Sequence, residues 1–150
     1  DGEANARNLT RIQKKFNGAT KFLPKPVLKQ ETNASSIGLI YFGSTEAAMQ
    51  ESLDQLSASG HPIDAMRIRA FPFDLEIWNF INEHESIFLV EQNRDAQMKT
   101  LLIAEGKINP RKILSVLCFD GAPITAKFIT DSIIDTLASD QLLLTAEDLK

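Results

Sequence analysis

Residues 87–97 read Ile-Phe-Leu-Val-Glu-Gln-Asn-Arg-Asp-Ala-Gln. The first four are continuously apolar, which is typical of a central strand covered on both faces of a sheet. Five polar residues follow at once, and Asp95 is placed to cap a helix that turns Met98, Leu101 and Leu102 inward. The stretch therefore predicts a buried strand, a polar loop and a helix.

The same order of strand and helix recurs on both sides of this stretch. Apolar runs typical of strands lie at 37–42, 63–71 and 113–118. Helical periodicity lies at 45–59, 74–83 and 123–138, where Gly60 is expected to follow the first helix and Pro123 to lie in the first turn of the last. Four alternations predict an α/β domain: a three-layer, open, mainly parallel sheet with helices on both faces.

The first thirty residues differ from the rest in charge. They hold seven basic and two acidic residues, whereas the remaining 120 hold nine and eighteen. Residues 5–20 predict a helix whose narrow apolar stripe consists of Leu9, Ile12, Phe16 and Ala19. Pro24 and Pro26 then force an extended path.

These patterns predict three segments. We expect residues 1–35 to form an N-terminal amphipathic helix and a proline-containing linker from a preceding domain. Residues 36–138 should form the α/β domain, and 139–150 a tail. The chain lacks an initiator Met, which indicates a fragment of a longer polypeptide.

Composition excludes several classes of protein. The 150 residues are 43% apolar and 24% charged, the balance of one globular domain, and the net charge is −4. A single Cys excludes a four-cysteine zinc or iron–sulfur site within the chain and favours a reducing cytoplasm. No apolar run is long enough to cross a bilayer. Because the basic residues lack interleaved aromatics, nucleic acid is not an expected partner.

Polar residues follow the predicted strands at their carboxyl ends, where sites form in such sheets. Glu91 suits a general acid or base, or an acceptor of nearby backbone hydrogen bonds. Arg94 suits a bidentate clamp on a carboxylate or phosphate, or an ion pair with a partner chain. Gly43, Ser44 and Thr45 suit a phosphate-binding turn, or only a turn and helix N-cap.

The other candidates carry weaker signals. Asn93 and Gln97 are directional polar groups beside Arg94, and Asp120 precedes Gly121 as a turn pair does. His61 and His84 lack ligand neighbours at helical spacing, so no metal site is expected. Cys118 lies in an apolar strand and suits a buried core position.

Four segments together resemble one protein family. They are residues 37–45 (IGLIYFGST), 67–73 (RIRAFPF), 90–97 (VEQNRDAQ) and 120–125 (DGAPIT). They look like the last domain of the alpha subunit of 2-oxoacid:ferredoxin oxidoreductases, most like the 2-oxoglutarate type. Residues 22–26 (FLPKP) resemble that family's link from the pyrimidine-binding domain. One departure is Ala96, at a position where the family often has Gly.

The resemblance implies a fold like the C-terminal domain of transketolase. It also implies an enzyme that decarboxylates a 2-oxoacid with thiamine diphosphate and Mg²⁺, forms an acyl-CoA and passes electrons through [4Fe-4S] clusters to ferredoxin. The family's diphosphate motif and cysteine clusters do not occur in this chain. The segment is therefore expected to bind no cofactor and to hold no catalytic residue, and to contact the beta subunit and the preceding alpha-subunit domains.

Interface or CoA-channel positions are then expected at the polar strand ends: Glu91, Asn93, Arg94, Gln97, Gly43, Ser44, Thr45 and Asp120. Two alternatives stay open. One is a stand-alone binding or adaptor module without catalytic activity. The other is a CoA- or nucleotide-binding domain that uses Gly43–Thr45.

Overall fold

A five-stranded mixed sheet organises the chain. The computed structural model describes residues 1–29 and 35–147, with side chains described up to 139. The strand order is β1-β3-β2-β4-β5. The strands are β1 (Val27–Lys29), β2 (Ile37–Phe42), β3 (Asp64–Ile68), β4 (Ser86–Glu91) and β5 (Ile113–Leu117). β2 to β5 are parallel, and β1 pairs antiparallel with β3 at one edge.

The described residues form five α-helices, four of which pack on the sheet. They are α1 (Gly2–Gly18), α2 (Glu46–Ala58), α3 (Leu75–Glu83), α4 (Gln97–Gly106) and α5 (Ala126–Glu147). α2 and α5 cover one face, through Met49, Leu56 and Ile133 among others. α3 and α4 cover the other, through Phe80 and Leu102 among others. The predicted three-layer α/β architecture is confirmed.

β4 contributes to both cores. Ile87 and Leu89 point into the α3–α4 side, whereas Phe88 and Val90 point into the α2–α5 side. All four are buried, as a central strand of a parallel sheet requires. The prediction from residues 87–90 is confirmed, and this strand is the element against which both helix layers pack.

Residues 27–29 correct the predicted linker. They form β1, in register with Arg67, Met66 and Ala65 of β3. Without β1, the outer edge of β3 would have unpaired backbone groups. Pro26 favours an extended backbone directly before β1, which suits this pairing. The remaining linker residues 30–34 lie outside the described residues. The division at 36 and 138 stays a prediction.

Lys25 fixes the proline segment against α3. Its Nζ lies 2.7 Å from Asp74 Oδ2 and 3.4 Å from Glu76 Oε1. This contact lowers the pKa of the Asp74 carboxyl and raises that of Lys25. Asp74 also accepts from the Glu76 amide at 3.1 Å, so it caps α3 at the predicted residue.

The last helix begins later and runs further than predicted. α5 begins at Ala126, and Pro123 lies before it rather than in its first turn. Thr125 supplies the cap, because its Oγ1 accepts from the Phe128 amide at 3.2 Å. The backbone stays helical to Glu147, so most of the predicted tail continues α5. Residues 148–150 lie outside the described part of the chain.

No helix in the described part of the chain combines the length and the apolar character that crossing a membrane requires.

Gly38 is required by close packing in β2. A Cβ there would lie 2.7 Å from Ile87 Cδ1, 2.8 Å from Phe80 Cε1 and 3.0 Å from His84 Cγ. We expect Gly38→Ala to lower the free energy of unfolding by about 1–3 kcal/mol, because the three side chains must shift. Denaturant unfolding followed by circular dichroism measures this.

Gly18→Ala is the matched control. A Cβ at Gly18, the last residue of α1, meets nothing within 4 Å. We expect no loss of stability from it, since Ala is the better helix former. Equal destabilisation by both changes would contradict the packing argument.

Candidate functional site

The polar residues at the ends of β2 and β4 lie at the point of the sheet where the connections of two neighbouring strands leave on opposite faces. β2 and β4 are neighbours, but α2, which follows β2, lies on one face and α4, which follows β4, lies on the other. The crevice between their carboxyl ends is the position at which α/β sheets of this kind place their sites. Gly43–Thr45 and residues 91–96 line it. We call this edge of the domain the strand-end rim.

Gln92 connects the two sides of the strand-end rim. Its Nε2 donates to Ser44 Oγ at 3.0 Å and to Thr45 Oγ1 at 3.1 Å. Gln92 was absent from the predicted site residues, although it lies inside the VEQNRDAQ segment. An amide side chain carries no charge signal in a sequence, and the bond spans 47 to 48 positions, so only the fold reveals it.

Glu91 holds the start of α4. Its side chain is fully buried, and it accepts from the Met98 amide at 2.8 Å, the Lys99 amide at 3.1 Å and Asn93 Nδ2 at 2.8 Å. A carboxylate at a helix N-terminus also opposes the positive end of the helix dipole. The geometry therefore favours the acceptor of backbone hydrogen bonds over a general acid or base, because a reacting group has no access to these oxygens.

Asn93 shapes the loop between Glu91 and α4. Its Oδ1 accepts from the Asp95 amide at 3.1 Å and from the Gln97 amide at 3.3 Å. Asp95 was predicted to cap α4, and this prediction is wrong. Ala96 precedes the helix with φ 49° and ψ 49°, a left-handed conformation that turns the Asp95 side chain out to solvent. Asn93 and Glu91 do the capping instead.

Arg94 and Gln97 are the exposed groups of this loop. The Arg94 side chain is 73% exposed, and its Nε lies 2.8 Å from Asp95 Oδ1. Gln97 is exposed at the first residue of α4. The hydrogen bonds of Glu91 and Asn93 thus hold a loop that presents a guanidinium and an amide outward.

The Gly43–Thr45 segment forms a tight turn between β2 and α2. Gly43 has φ +61°, a value that Gly adopts without strain, and a Cβ there would meet nothing within 4 Å. Thr45 is buried at the N-cap position of α2, but its side chain makes no capping hydrogen bond to the helix. Its hydroxyl accepts from Gln92 instead, which explains why a polar residue is buried there.

Asp120 belongs to a separate turn after β5. Its Oδ1 accepts from the Ala122 amide at 2.9 Å, and Gly121 has φ +87°. These contacts match the turn interpretation. Beside it lies a hollow, the β5 depression, lined by Leu117, Cys118, Phe119, Asp120 and Phe128. Burial, and then the Asp120 charge, raise the pKa of the Cys118 thiol.

A second polar cluster lies on the side of β2 away from β4, and it is not among the predicted site residues. Arg67 Nε lies 3.4 Å from Glu46 Oε2, and Lys29 Nζ lies 3.7 Å from Glu46 Oε1. Burial, and then the Glu46 carboxylate, raise the pKa of Tyr41 well above its ordinary value. The three ionic groups come from β1, β3 and α2, so the cluster joins the edge strand to the first helix of the α/β unit.

The donor groups of the residues that the structure describes do not fit a resident metal or cluster. Among the described residues, no group of three or more His, Cys, Asp or Glu side chains is placed to hold a metal ion. His84 is buried, with Nδ1 2.7 Å from the Phe80 carbonyl oxygen and Nε2 3.3 Å from Asp64 Oδ2, as a structural histidine is. The single thiol, Cys118, is buried and supplies one of the four ligands that an iron–sulfur cluster takes.

Three solved structures are similar to this chain. A 2-oxoglutarate:ferredoxin oxidoreductase from Magnetococcus marinus, with 2-oxoglutarate, coenzyme A and succinyl-CoA bound, matches with a TM-score of 0.73 at 21% identity over 87% of this chain. The alpha chain of a probable 2-oxoacid ferredoxin oxidoreductase from Thermoplasma acidophilum matches with 0.51 at 23% identity over 76%. A split-gene transketolase, described as an inactive beta4 tetramer, matches with 0.60 at 14% identity over 76%.

This chain shares their fold. The predicted likeness to 2-oxoacid:ferredoxin oxidoreductase and transketolase domains is thereby confirmed at the level of architecture. The match spans 23% of the Magnetococcus chain, 97% of the Thermoplasma chain and 41% of the transketolase chain. No family model and no curated protein sequence matches this chain.

The first prediction for the strand-end rim concerns Glu91. We expect Glu91→Gln to lower the free energy of unfolding by about 1–3 kcal/mol, because the new amide keeps one acceptor oxygen and turns donors toward the α4 backbone amides. Thermal and denaturant unfolding measure this. Glu105→Gln, an exposed change in the same helix, should stay within about 0.5 kcal/mol of wild type. Equal effects would contradict the capping role.

The second prediction concerns Ala96. A left-handed conformation costs a non-glycine residue about 1–2 kcal/mol, and Gly loses about 0.5–1 kcal/mol through added freedom in the unfolded chain. We therefore expect Ala96→Gly to raise the free energy of unfolding by up to about 1 kcal/mol. Ala104→Gly in the exposed interior of α4 should lower it by a similar amount. A destabilising Ala96→Gly would count against the left-handed geometry.

Proposed function

We propose that this chain is the C-terminal domain of the alpha subunit of a thiamine-diphosphate-dependent 2-oxoacid:ferredoxin oxidoreductase, acting on 2-oxoglutarate. The enzyme would form an acyl-CoA and pass the electrons to ferredoxin. The fold match over 87% of the chain to a 2-oxoglutarate:ferredoxin oxidoreductase carries the proposal. The position of the VEQNRDAQ segment at the strand-end rim supports it, because a family-like sequence then lies where this fold places function.

The domain's own part is an interface. The side chains of Glu91 and Asn93 make hydrogen bonds within the loop. The Arg94 guanidinium and the Gln97 amide are then the groups that this held loop presents to a partner. Such groups suit a desolvated contact between domains, where loss of one partner leaves the other unpaired. We place the contact against a neighbouring domain, beside the cofactor or CoA channel of the complete enzyme.

The cofactors belong to other parts of that enzyme. Because the donor groups of the described residues fit neither a cluster nor a resident metal, we assign thiamine diphosphate, Mg²⁺ and [4Fe-4S] clusters to the beta subunit, the preceding alpha-subunit domains or further subunits. The proposed partners follow: the beta subunit and those domains directly, with ferredoxin and CoA at the level of the complex. The proposed compartment is the cytoplasm, where a lone thiol stays reduced.

The test begins with the native, complete polypeptide, purified without oxygen together with its bound subunits. CoA-dependent reduction of a viologen dye is then compared for 2-oxoglutarate and pyruvate. Activity with 2-oxoglutarate and a copurifying second subunit are the expected results. A chain that carries no partner and reduces no dye with either acid would overturn the proposal and favour the adaptor module.

Arg94 offers the sharpest variant within this domain. We expect Arg94→Ala to weaken subunit assembly, or to raise the KM for CoA, by about 5- to 150-fold, which is the equivalent of one unpaired buried group. Sedimentation of the complex and CoA titrations measure the two effects. Arg111 is exposed and lies just before β5, at the amino ends of the parallel strands, so Arg111→Ala should alter neither quantity. Normal assembly and kinetics in Arg94→Ala would contradict the interface role.

A further inference from the structure

Residues 20–29 lie along the α/β domain, and none of them is buried in it. They run from the turn after α1, through the proline segment, to the end of β1. Leu23 and Pro26 are half-buried beside residues 69–77. Segments with few buried apolar contacts are the ones that open locally, at a lower free energy than global unfolding. We call residues 20–29 the strap.

Two ion pairs hold the strap on opposite faces of the sheet. Lys25 Nζ lies 2.7 Å from Oδ2 of Asp74, which is the N-cap of α3. Lys29 Nζ lies 3.7 Å from Oε1 of Glu46, which is the first residue of α2. α3 packs on one face of the sheet and α2 on the other. The strap therefore straddles the outer edge of β3 and is tied to a helix on each side.

Both ion pairs are accessible to solvent. The Lys25 side chain is 61% exposed, and the Lys29 side chain is 28% exposed. Ion pairs at a protein surface change an equilibrium by about 1.4- to 5-fold each, and salt screens them. The two pairs involve different helices, so their effects multiply. Together they shift the balance between the attached and the detached strap by about 2- to 25-fold.

The α/β domain does not need the strap to keep its cores. β3 pairs in parallel with β2 along its whole length. Ala65 packs in the α2–α5 core, and Met66 and Ile68 pack in the α3–α4 core. No strap residue belongs to either core. Detachment of the strap thus exposes the outer edge of β3 and leaves the packing of both helix layers intact.

We propose that the strap detaches from the α/β domain as a unit while both cores stay folded, and that the ion pairs of Lys25 and Lys29 set how often it does so. Detachment frees the outer backbone groups of β3 to pair with another extended segment. The strap then acts as a removable cover of the sheet edge that responds to ionic strength. This inference goes beyond the proposed function and does not depend on it.

Hydrogen exchange of the full 150-residue chain, followed by NMR, tests the proposal. We expect the hydrogen-bonded amides of β1 and the β3 amides that face them to open together. Their protection should be at least about 100-fold lower than that of the β4 amides at 87–90, which open only with the whole domain. Raising the salt concentration from about 0.05 M to about 1 M should lower β1 protection further, because the ion pairs are screened.

The Lys25→Ala/Lys29→Ala double variant should lower β1 protection by about 2- to 25-fold and leave β4 protection unchanged. Lys21→Ala is the matched control, since Lys21 is an exposed lysine of the strap with no ion-pair partner among the described residues. It should change neither. Equal protection of β1 and β4 would overturn the proposal. So would a double variant that leaves β1 protection unchanged or lowers β4 protection by the same factor.

Discussion

A carboxylate with no access to solvent, that of Glu91, joins the central strand to the helix that follows it. β4 is buried on both faces, so its end is fixed by two cores at once. The Glu91 carboxylate accepts hydrogen bonds from two backbone amides of α4 and from the Asn93 side chain. The start of α4 is thereby tied to the end of β4, and Asn93 sets the path of the loop on which Arg94 is exposed. Gln92 links this loop to the turn after β2, because its side-chain amide donates to the Ser44 hydroxyl.

Local pattern predicted the buried parts of the fold well. The run at 87–90 has no polar position, and Asp74 stands directly before an amphipathic stretch, so each signal is contained in a few neighbouring residues. β1 was missed because its partner, β3, lies almost forty positions away and a three-residue strand has no periodicity of its own. The start of α5 was predicted too early because Pro is common in the first turn of a helix. Thr125, two residues after Pro123, provides the cap instead.

Residue types alone indicated polar residues at the strand ends but could not assign a role to each of them. The residue types at 91–97 marked a polar loop at a strand end, and Glu91 was allowed two interpretations. Choosing between them needed its burial and the partners of its oxygens. Asp95 was the obvious cap by type, yet the left-handed Ala96 between it and α4 turns it away. Ala itself does not signal such a backbone angle; the signal lay in the Gly that the resembled family often has at this position, since Gly adopts the angle without strain.

Cys118 gives the molecule a reporter of its own opening. It is the single thiol of the chain, it is 7% exposed beside β5, and burial holds its pKa above the ordinary value. A thiol of this kind stays protonated and shielded until the strand leaves the core. The rate at which a thiol reagent labels the native protein therefore reports how often this edge of the sheet opens, and no substitution is needed for the measurement.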